Sequence, residues 1–300
     1  MNPMYDCVII GAGPAGLSSA LYFGRAKVNV ALIEKSAPGG KVITTSVVEN
    51  YPGVLKTTGA DLALVMLQQI KEFKIPTYYT EVLEVIKNDD YFIVKTASEE
   101  LTAKFVLSAT GTINRTLNVP GEMKFMSRGI SYCAICDGKL YENKEVLVIG
   151  GGNSAFEESL YLAKLCKKVT LIHRTDQYRA QSILVEKVKN TPNIELIPHT
   201  TVTSFNGTNR LESVNLKTNE ETRELKVDGA FIYIGYLPAT AFLKDLNVLN
   251  EAGFIEVDGN YQTKVEGLYG VGDCINHPVK QIATAVGDAV CATNIIIKKL

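Results

Sequence analysis

The chain has 300 residues, of which 46% are hydrophobic and 21% are charged, and its formal net charge at pH 7 is −1. This length suits two domains of ordinary size, each able to bury its own core, and the composition is that of a globular protein. A net charge so close to zero gives no electrostatic reason to expect nucleic acid or anionic lipid as a partner.

The amino-terminal residues predict a buried strand that leads into a glycine-rich loop. Residues Asp6 to Ile10 form an apolar run that is too short for a signal peptide or a membrane span. The sequence Gly-Ala-Gly-Pro-Ala-Gly follows from Gly11 to Gly16, and a helix is expected from Pro14 to Arg25. A second apolar run, Val28 to Ile33, ends at Glu34. Strand, turn, helix and strand in this order form half of a doubly wound dinucleotide-binding fold.

The glycines of this first loop stand where dinucleotide binding requires them. Gly11 allows the tight turn, Gly13 lets the backbone approach a pyrophosphate, and Gly16 lets the helix pack against the strand. The amino terminus of the helix offers N–H groups and its positive dipole end to the phosphates. Glu34 can accept hydrogen bonds from ribose hydroxyls. A glycine-rich turn without a ligand is the alternative, and the flanking strand and helix favour the dinucleotide site.

The next part of the chain predicts a helix, an antiparallel meander and a linker. The helix is expected at 61–73, where apolar residues recur at helical spacing. Short alternating runs at 82–86, 91–94 and 101–107 predict an antiparallel meander inserted in the nucleotide fold. The polar segment Thr112 to Gly121 is predicted to be a linker.

Two cysteines with Cys-x-x-Cys spacing follow, Cys133 and Cys136, within the sequence Cys-Ala-Ile-Cys-Asp-Gly. Without an export signal the six cysteines are expected to be reduced in the cytoplasm, where such a pair is redox-active or binds metal. The other four cysteines and the three histidines are scattered singly, so no metal site is expected. Polar Asp137 and Gly138 argue against a pair of unreactive buried thiols. Asp137 is either a proton donor to a leaving thiolate or a turn or capping residue, and the sequence leaves both open.

A second strand, turn, helix and strand unit begins at Lys144 to Ile149 and ends at 168–173. Its loop reads Gly-Gly-Gly-Asn-Ser-Ala from Gly150 to Ala155, with alanine in place of the third glycine, an accepted variant. The following strand ends in His173 and two arginines nearby, Arg174 and Arg179, with no acid. Arginine here suits a 2′-phosphate and predicts NADPH over NADH. The alternative is that both arginines are ordinary solvated residues.

The remaining elements predict that the second unit is inserted in the first. Strands are expected at 194–197, 214–217, 222–227 and 230–234, followed by a second linker candidate at 235–238. An apolar run at 267–271 leads to Gly272-Asp273, and a helix is expected at 281–298. The prediction is an α/β protein with two Rossmann-like dinucleotide-binding domains, each with a small antiparallel sheet. Residues 1–113 and 239–300 form one domain, and residues 114–238 form the inserted one.

The chain resembles the low-molecular-weight, bacterial-type thioredoxin reductases along essentially its whole length. The resemblance rests on both glycine loops, on the Cys-x-x-Cys-Asp-Gly segment and on shorter motifs at Val48–Gly53, Ala109–Gly111, His173–Arg179, Gly272-Asp273 and Gln281–Ala283. It implies a homodimeric flavoprotein with FAD in the first domain and NADPH in the inserted domain. Electrons are then expected to pass from NADPH through FAD to a Cys133–Cys136 disulfide, and from there to thioredoxin.

The resemblance also implies roles for individual residues. Cys136 is implied to be the thiol nearest the flavin, Cys133 to attack the partner's disulfide, and Asp137 to be the acid. The implied FAD contacts are Gly11, Gly13, Pro14, Ala15, Gly16, Glu34, Lys35, Gly40, Lys41, Asn50, Ala109, Thr110, Gly111, Gly272, Asp273, Gln281, Ile282 and Ala283. The implied NADPH contacts are Gly152, Asn153, Ser154, Glu157, His173, Arg174, Thr175 and Arg179.

Three positions depart from the family's pattern. Thr175 stands where the family has a second arginine, Lys41 where it has a glutamine, and Lys280 where it has an arginine. The first is expected to weaken the preference for NADPH, because a lost charge-assisted bond is worth roughly ten- to a hundredfold in affinity. The two lysines are expected to alter local contacts with the flavin.

The dithiol and the second glycine loop belong to the same inserted domain, and one flavin must exchange electrons with both. The inserted domain is therefore expected to rotate about the linkers at 112–121 and 235–240. Reductases that feed a peroxidase usually carry a long extension before the first loop, and in this chain that loop starts at residue 11. The dithiol argues against ferredoxin or flavodoxin chemistry on this fold. A redox sensor or nucleotide-binding module without turnover is the alternative from another class.

Overall fold

The structure is a computed structural model that describes residues 4–45 and 48–300, apart from the side chains of Thr44 and Cys136. The chain divides into two compact units. The first consists of Met1–Ile113 and Leu237–Leu300, and the second of Asn114–Tyr236. The later crossing between the units therefore lies between Tyr236 and Leu237, slightly before the predicted boundary.

Both units combine strands with helices. The strands are β1 (Tyr5–Ile10), β2 (Val30–Ile33), β3 (Thr77–Tyr78), β4 (Val82–Lys87), β5 (Phe92–Thr96), β6 (Glu100–Ser108), β7 (Thr112–Asn114), β8 (Ile130–Ser131), β9 (Glu145–Gly150), β10 (Lys168–Ile172), β11 (Ile194–Ile197), β12 (Thr200–Asn206), β13 (Ser213–Thr218), β14 (Glu221–Lys226), β15 (Gly229–Tyr233), β16 (Tyr236–Pro238) and β17 (Leu268–Gly270). The α-helices are α1 (Pro14–Arg25), α2 (Gly59–Ile70), α3 (Glu122–Phe125), α4 (Ala134–Asp137), α5 (Asn153–Ala163), α6 (Ser182–Lys189) and α7 (Ile282–Lys299). Short 3₁₀ helices lie at Gly40–Thr44, Lys71–Phe73, Gly138–Tyr141, Ala241–Leu246 and Gly272–Cys274.

The first unit is built on one seven-stranded sheet with the order β3-β2-β1-β6-β5-β4, and β17 also pairs with β6. The antiparallel meander shares this sheet and is not a separate small sheet. The reason is the length of β6, whose first residues pair antiparallel with β5 while its later residues pair parallel with β1 and β17. The carboxyl ends of β1 and β2 therefore meet at one edge, where the first glycine loop begins.

Two helices cover the parallel part of this sheet. Helix α1 begins at Pro14, where the fixed φ of proline suits the first turn of a helix. Three of its buried residues, Leu17, Ala20 and Phe23, join one apolar core with Ala289 and other residues of α7. Their spacing of three puts them on one face of the helix, which is the pattern of a helix packed against a core.

The second unit repeats the architecture with a five-stranded sheet of the order β11-β10-β9-β15-β8. The neighbouring strands in it are all parallel. Strands β12, β13 and β14 form a separate antiparallel sheet. Helix α5 follows β9 across the second glycine loop and buries Phe156 and Leu162 in the core of this unit.

The segment predicted as a linker, Thr112 to Gly121, is more ordered than its polar composition indicates. It begins with β7, which pairs with β16 in a two-stranded ribbon. Its later residues are fixed by the buried carboxylate of Glu122, which accepts hydrogen bonds from the backbone N–H groups of Leu117 (3.0 Å) and Asn118 (2.8 Å). The backbone is therefore held by a side chain from Leu117 onward, although the residues themselves are polar.

Candidate functional site

The first glycine loop has two positions that only glycine fits. Gly11 has a φ of +100°, and a Cβ added there would lie 2.6 Å from the carbonyl oxygen of Ala109. A Cβ added at Gly16 would overlap the carbonyl oxygen of Gly11. The first close approach sets the turn after β1, and the second lets α1 pack against that turn, as the sequence predicts for both residues.

Glu34 at the end of β2 is joined directly to this loop. It is only 8% exposed, and its Oε2 accepts a hydrogen bond from the N–H of Ala12 at 2.8 Å. Its Oε1 accepts from the N–H of Ser36 at 2.9 Å. The N–H of Gly39 donates to the carbonyl oxygen of Ala12 at 2.7 Å, which places Gly40 beside Gly13. The Glu34 carboxylate, the first glycine loop and the Gly39-Gly40 segment therefore lie together at one edge of the sheet and form a cradle.

A cluster of charged groups lies beside Asp273 in the same unit. Lys41 places its Nζ 3.4 Å from the Asp273 carboxylate and donates a hydrogen bond to Thr112 Oγ1 at 2.6 Å. Lys280 donates to the backbone carbonyl of Asp273 at 2.7 Å and lies over the ring of Phe254. Burial lowers the pKa of both lysines, and the negative charge of Asp273 opposes that shift. The two lysines that depart from the family's pattern therefore both contact Asp273, Lys41 at its carboxylate and Lys280 at its backbone carbonyl.

The sequence missed the residue that holds the Asp273 segment in place. Asp288 on α7 is buried and accepts hydrogen bonds from the N–H of Gly272 at 3.2 Å and the hydroxyl of Tyr261 at 3.1 Å. The one sequence signal for this role is that Asp288 is a charged residue on the apolar face of the helix predicted at 281–298. The amide of Asn50 donates to Gln281 Oε1 at 3.2 Å, which joins two predicted flavin contacts from distant parts of the chain.

Lys35 is placed differently from the other implied FAD contacts. Its side chain is more than half exposed and pairs with Glu81 at 3.8 Å. Its described ion pair thus points to the surface next to β4 and not to the cradle around Gly11.

The second glycine loop is fixed to the segment that carries the predicted arginines. The N–H of Arg179 donates to the carbonyl oxygen of Gly151 at 2.8 Å, and the N–H of Gln181 donates to Asn153 Oδ1 at 2.8 Å. A Cβ at Gly151 would overlap the ring of His173. The loop therefore needs glycine at this position because the imidazole lies directly against it.

The polar residues around this loop differ in burial. Arg174 and Arg179 are both exposed beside it, and the Thr175 hydroxyl donates to the carbonyl oxygen of Gln177 at 3.2 Å. Burial, with the neighbouring charges of the two arginines, lowers the pKa of His173. At neutral pH the imidazole is therefore uncharged, and the positive charge of this surface comes from the arginines.

A second carboxyl on α5 was also missed. Glu158 follows the predicted contact Glu157, and its Oε2 is buried with no hydrogen-bond partner among the described residues. Burial, and to a lesser degree the charge of Glu157, raises the pKa of Glu158 to about 7. Glu157 and Glu158 are adjacent acids in the same helix, and the sequence does not indicate which of them faces the core.

The redox motif lies on the short helix α4 at the end of β8. Cys133 is half-buried and disulfide-bonded, and the side chain of Cys136 lies outside the described residues. The four cysteines described as free are Cys7, Cys166, Cys274 and Cys291.

Two hydroxyl groups hold the backbone of this motif. The hydroxyl of Tyr233 accepts a hydrogen bond from the N–H of Ala134 at 2.6 Å. Burial raises the pKa of that hydroxyl well above its usual range, so it keeps its proton. The hydroxyl of Ser131 accepts from the N–H of Cys133 at 3.1 Å and donates to the carboxylate of Asp137 at 2.6 Å. Neither residue was singled out from the sequence.

The motif and the second glycine loop are attached to the same helix. A Cβ added at Gly138, just after α4, would lie 3.2 Å from side-chain atoms of both Leu162 and Tyr161 on α5. Helix α5 begins at the glycine loop, so a dinucleotide loop and a disulfide-bonded cysteine are positioned by one element of one unit.

A family model described as pyridine nucleotide-disulphide oxidoreductase matches residues 5–289. The chain belongs to this family. Within it, the chain is a member of the thioredoxin reductases: it is 44% identical to the thioredoxin reductase of Ureaplasma parvum, over 96% of this chain and 94% of that protein. It is 41% identical to the thioredoxin reductase of Bacillus subtilis, over 96% of this chain and 92% of that one. The crystal structure of thioredoxin reductase from Streptococcus pyogenes matches with a TM-score of 0.87 and 38% identity, over 99% of this chain and 98% of that chain.

Members of this family use FAD and NADPH, and both loops have the shape that such cofactors need. At Gly13 and at Gly152 an added Cβ would meet no atom closer than 3.9 Å, so the backbone of each loop stays open to a ligand. Each of these glycines is the residue before the first turn of a helix, α1 or α5. Phosphate groups bind favourably at such helix amino termini. The residues of both loops therefore fit dinucleotides.

The described residues also bear on metal binding and membrane insertion. Among residues 4–45 and 48–300, no group of three or more His, Cys, Asp or Glu side chains is arranged to hold a metal ion. No helix in the described part of the chain has both the length and the apolar character needed to cross a bilayer.

Proposed function

We propose that this chain is an NADPH-dependent thioredoxin reductase that passes electrons from NADPH through FAD to a Cys133–Cys136 disulfide and then to the disulfide of thioredoxin. The observation that carries the proposal is the second unit, where α5 connects a dinucleotide loop with a disulfide-bonded cysteine. The first glycine loop, Gly11 to Gly16 in the first unit, supplies the place for the flavin.

The first unit, residues 1–113 and 239–300 as predicted, is the proposed FAD domain. Gly11, Gly13 and Gly16 shape the loop for the pyrophosphate, and Glu34 binds the hydroxyls of the adenosine ribose. When bound there, FAD would supply the two-electron redox chemistry that connects NADPH with the disulfide. Asp273, which both Lys41 and Lys280 contact, is the proposed partner of the ribityl chain of FAD.

The implied contacts with the isoalloxazine ring and with the rest of FAD are part of the same proposal. Asn50 and Gln281 support it because their side chains are hydrogen-bonded to each other. The other residues assigned to FAD are Pro14, Ala15, Lys35, Gly40, Lys41, Ala109, Thr110, Gly111, Gly272, Ile282 and Ala283. Lys35 has the weakest support, because its ion pair points to Glu81.

The inserted unit, residues 114–238 as predicted, is the proposed NADPH domain. Arg174 and Arg179 bind the 2′-phosphate, since both are exposed beside the glycine loop. The uncharged imidazole of His173 packs against Gly151 and supports the loop. Gly152, Asn153, Ser154, Glu157 and Thr175 complete the proposed contacts.

The exchange with thioredoxin takes place at Cys133. The Cys133 thiolate attacks one sulfur of the thioredoxin disulfide, and the other sulfur leaves as a thiolate that takes a proton from Asp137. Cys136 then attacks Cys133, the mixed disulfide breaks, and the second thioredoxin sulfur is released as a thiol. Overall, one electron pair leaves the dithiol and thioredoxin takes up two protons. One comes from Asp137, which had received it from the Cys133 thiol, and the other comes from the Cys136 thiol, so that the Cys133–Cys136 disulfide is restored.

One flavin has to serve both the nicotinamide and the dithiol, so the inserted unit rotates between two orientations. The hinge lies where the chain crosses between the units, at β7 and β16. Hydrogen bonds from Leu117 and Asn118 to Glu122 support a hinge that ends before Leu117. A cross-link that locks the two units together should abolish turnover, and undiminished steady-state activity of the locked protein would refute the rotation.

The proposed enzyme works as a homodimer in the cytoplasm. The four cysteines described as free form no structural disulfide that would need an oxidising compartment. Sedimentation of the FAD-loaded protein should give the mass of two chains, and a monomer at working concentration would contradict the dimer.

The experiment that tests the proposed function separates electron entry from electron exit. Cys133→Ser should abolish the reduction of thioredoxin, while NADPH still bleaches the flavin under anaerobic conditions. Cys291→Ser, which changes an exposed free cysteine of the first unit, is the matched control and should keep full turnover. If Cys133→Ser still reduced thioredoxin, or if the unaltered protein did not reduce it with NADPH, the proposal would be wrong.

A further inference from the structure

Ser131 is the last residue of β8, and its position is set by the sheet. Strand β8 pairs parallel with β15 in a register that places Ser131 opposite Phe231. The serine is only 6% exposed. Its side chain is therefore held at the carboxyl end of the sheet, two residues before Cys133.

The Ser131 hydroxyl makes hydrogen bonds to both ends of the redox motif. It accepts from the N–H of Cys133 at 3.1 Å and lies 2.6 Å from Asp137 Oδ2. A contact of 3.3 Å to the carbonyl oxygen of Cys133 is also within range. A hydroxyl has one proton to donate, and the short contact with an ionised carboxylate is the stronger bond. The carbonyl of Cys133 already receives the N–H of Asp137 at 3.1 Å.

The hydrogen bond to Oδ2 bears directly on the proton transfer from Asp137. The Ser131 hydroxyl donates to Oδ2, where it can stabilise the negative charge that Asp137 gains when it gives up its own proton to the leaving thiolate. When that proton is transferred to the leaving thiolate, the carboxylate that remains is already hydrogen-bonded by Ser131. The hydrogen bond strengthens as negative charge develops on Asp137 during the proton transfer, and an interaction that is stronger in the transition state than in the ground state speeds the reaction.

We propose that Ser131 is a positioning residue for thiol–disulfide exchange, and that it acts through Asp137. It orients the Asp137 carboxyl for proton donation and fixes the Cys133 backbone at the same time. The inference rests on the proposed function, because it takes Cys133 as the attacking thiol and Asp137 as the acid. A purely structural turn would account for the bond to the Cys133 N–H, but not for the bond to the carboxylate six residues further on.

The test is a double-mutant cycle in the FAD-loaded protein, with thioredoxin reduction by NADPH as the measurement. Loss of one hydrogen bond to a charged group should slow turnover roughly ten- to a hundredfold in Ser131→Ala. In the Asp137→Asn background the same change should cost less than about threefold, because the group through which the serine acts is already altered. Ser131→Thr keeps the hydroxyl and should restore most of the rate.

Controls separate a positioning role from a loss of folding. Ser204→Ala removes another hydroxyl of the same unit, one that accepts a hydrogen bond from Asn215 at 3.0 Å, and should leave turnover unchanged. The rate of flavin reduction by NADPH should be the same in Ser131→Ala as in the unaltered protein. A damaged fold would lower both rates.

Two results would overturn the inference. Turnover of Ser131→Ala at the unaltered rate would show that the hydroxyl is dispensable. An equal cost in both backgrounds would show a structural effect that does not act through Asp137, whatever the rate of Ser131→Thr. If the unaltered protein fails with thioredoxin, the proposed function fails instead, and the same cycle is then measured with dithiobisnitrobenzoate as a small disulfide, where the same two results decide.

Discussion

The two dinucleotide loops have the same scaffold but end in opposite chemistry. In the first unit the strand after the helix ends in Glu34, which is 8% exposed and hydrogen-bonded to the loop through Ala12. In the second unit the corresponding strand leads to Arg174 and Arg179, which are exposed. In the proposed assignment, the carboxylate would accept hydrogen bonds from ribose hydroxyls and the arginines would donate hydrogen bonds to a phosphate.

Under the proposed assignment, this contrast would let one fold hold one cofactor that stays bound and another that exchanges in each cycle. A buried carboxylate that is part of the loop's own hydrogen bonding is ready before any ligand arrives, which lowers the cost of ordering it on binding. Exposed arginines remain solvated until a phosphate binds. The first arrangement suits a cofactor that stays bound, and the second suits one that enters and leaves in each cycle.

The largest effect is expected from Gly16→Ala in the first loop. The added Cβ would overlap the carbonyl oxygen of Gly11, a backbone atom that cannot turn away. The variant should lose FAD and about 3 kcal/mol of unfolding free energy, measured by flavin absorbance and urea unfolding. The matched change in the second unit is Ala155→Gly, which should cost only about 1 kcal/mol. If Gly16→Ala kept its full FAD content and its stability, the first loop would tolerate an alanine at this position just as the second loop does at Ala155.

The next effect concerns the arginines of the second unit. Arg174→Ala and Arg179→Ala should each raise the KM for NADPH roughly ten- to a hundredfold, since each loses a charge-assisted bond to the phosphate. The KM for NADH should change little. Arg210→Ala is the matched control, because Arg210 is an arginine of the same unit whose described partner is Asp228 at 3.5 Å. Equal losses with NADPH and NADH would show that the arginines do not recognise the phosphate.

A gain is expected from Thr175→Arg. The described hydrogen bond of the Thr175 hydroxyl goes to a nearby carbonyl of its own turn, so its loss should disturb little. A third arginine should raise the preference for NADPH over NADH about tenfold, measured as the ratio of kcat/KM values. Thr175→Ser keeps the hydroxyl and should leave the ratio unchanged. If the arginine variant shows no gain, the segment is not within reach of the phosphate.

The smallest effect concerns the stability of the second unit. Because burial raises the pKa of Glu158 from 4.5 to about 7, the charged form destabilises the fold. The cost is absent below pH 4.5, grows up to about pH 7 and is constant above it. Glu158→Gln should therefore be about 2 kcal/mol more stable than the unaltered protein at pH 8, and the difference should shrink towards pH 5, by urea unfolding. Exposed Glu186→Gln is the control, and a Glu158→Gln protein that gains nothing at pH 8 would contradict the shift.

Much of the fold could be predicted because its signals are local. Helix α1 has the predicted bounds, Pro14–Arg25, because a proline at its start and an apolar face together specify it. The predicted strand at Ile194–Ile197 is present with the same bounds. Helix α6, which is only 8 residues long, and strand β12, which is mostly polar, were not predicted from the sequence.

The parts of the site that could not be predicted depend on contacts between distant segments. Ser131 and Tyr233 meet the redox motif only because β8 and β15 are neighbours in the sheet. Asp288 reaches Gly272 only because α7 packs behind that loop. The buried Glu122, which fixes the end of the predicted linker, is another case. Residue spacing reports one segment at a time, so none of these partners was visible in it.

The decisive measurement is the rate at which the FAD-loaded protein oxidises NADPH and NADH, each with and without oxidised thioredoxin. If the two loops divide the work between FAD and NADPH as proposed, oxidation should depend on thioredoxin and be at least about tenfold faster with NADPH at equal low concentration. Oxidation that does not respond to thioredoxin, or that uses both nucleotides equally, would contradict this division.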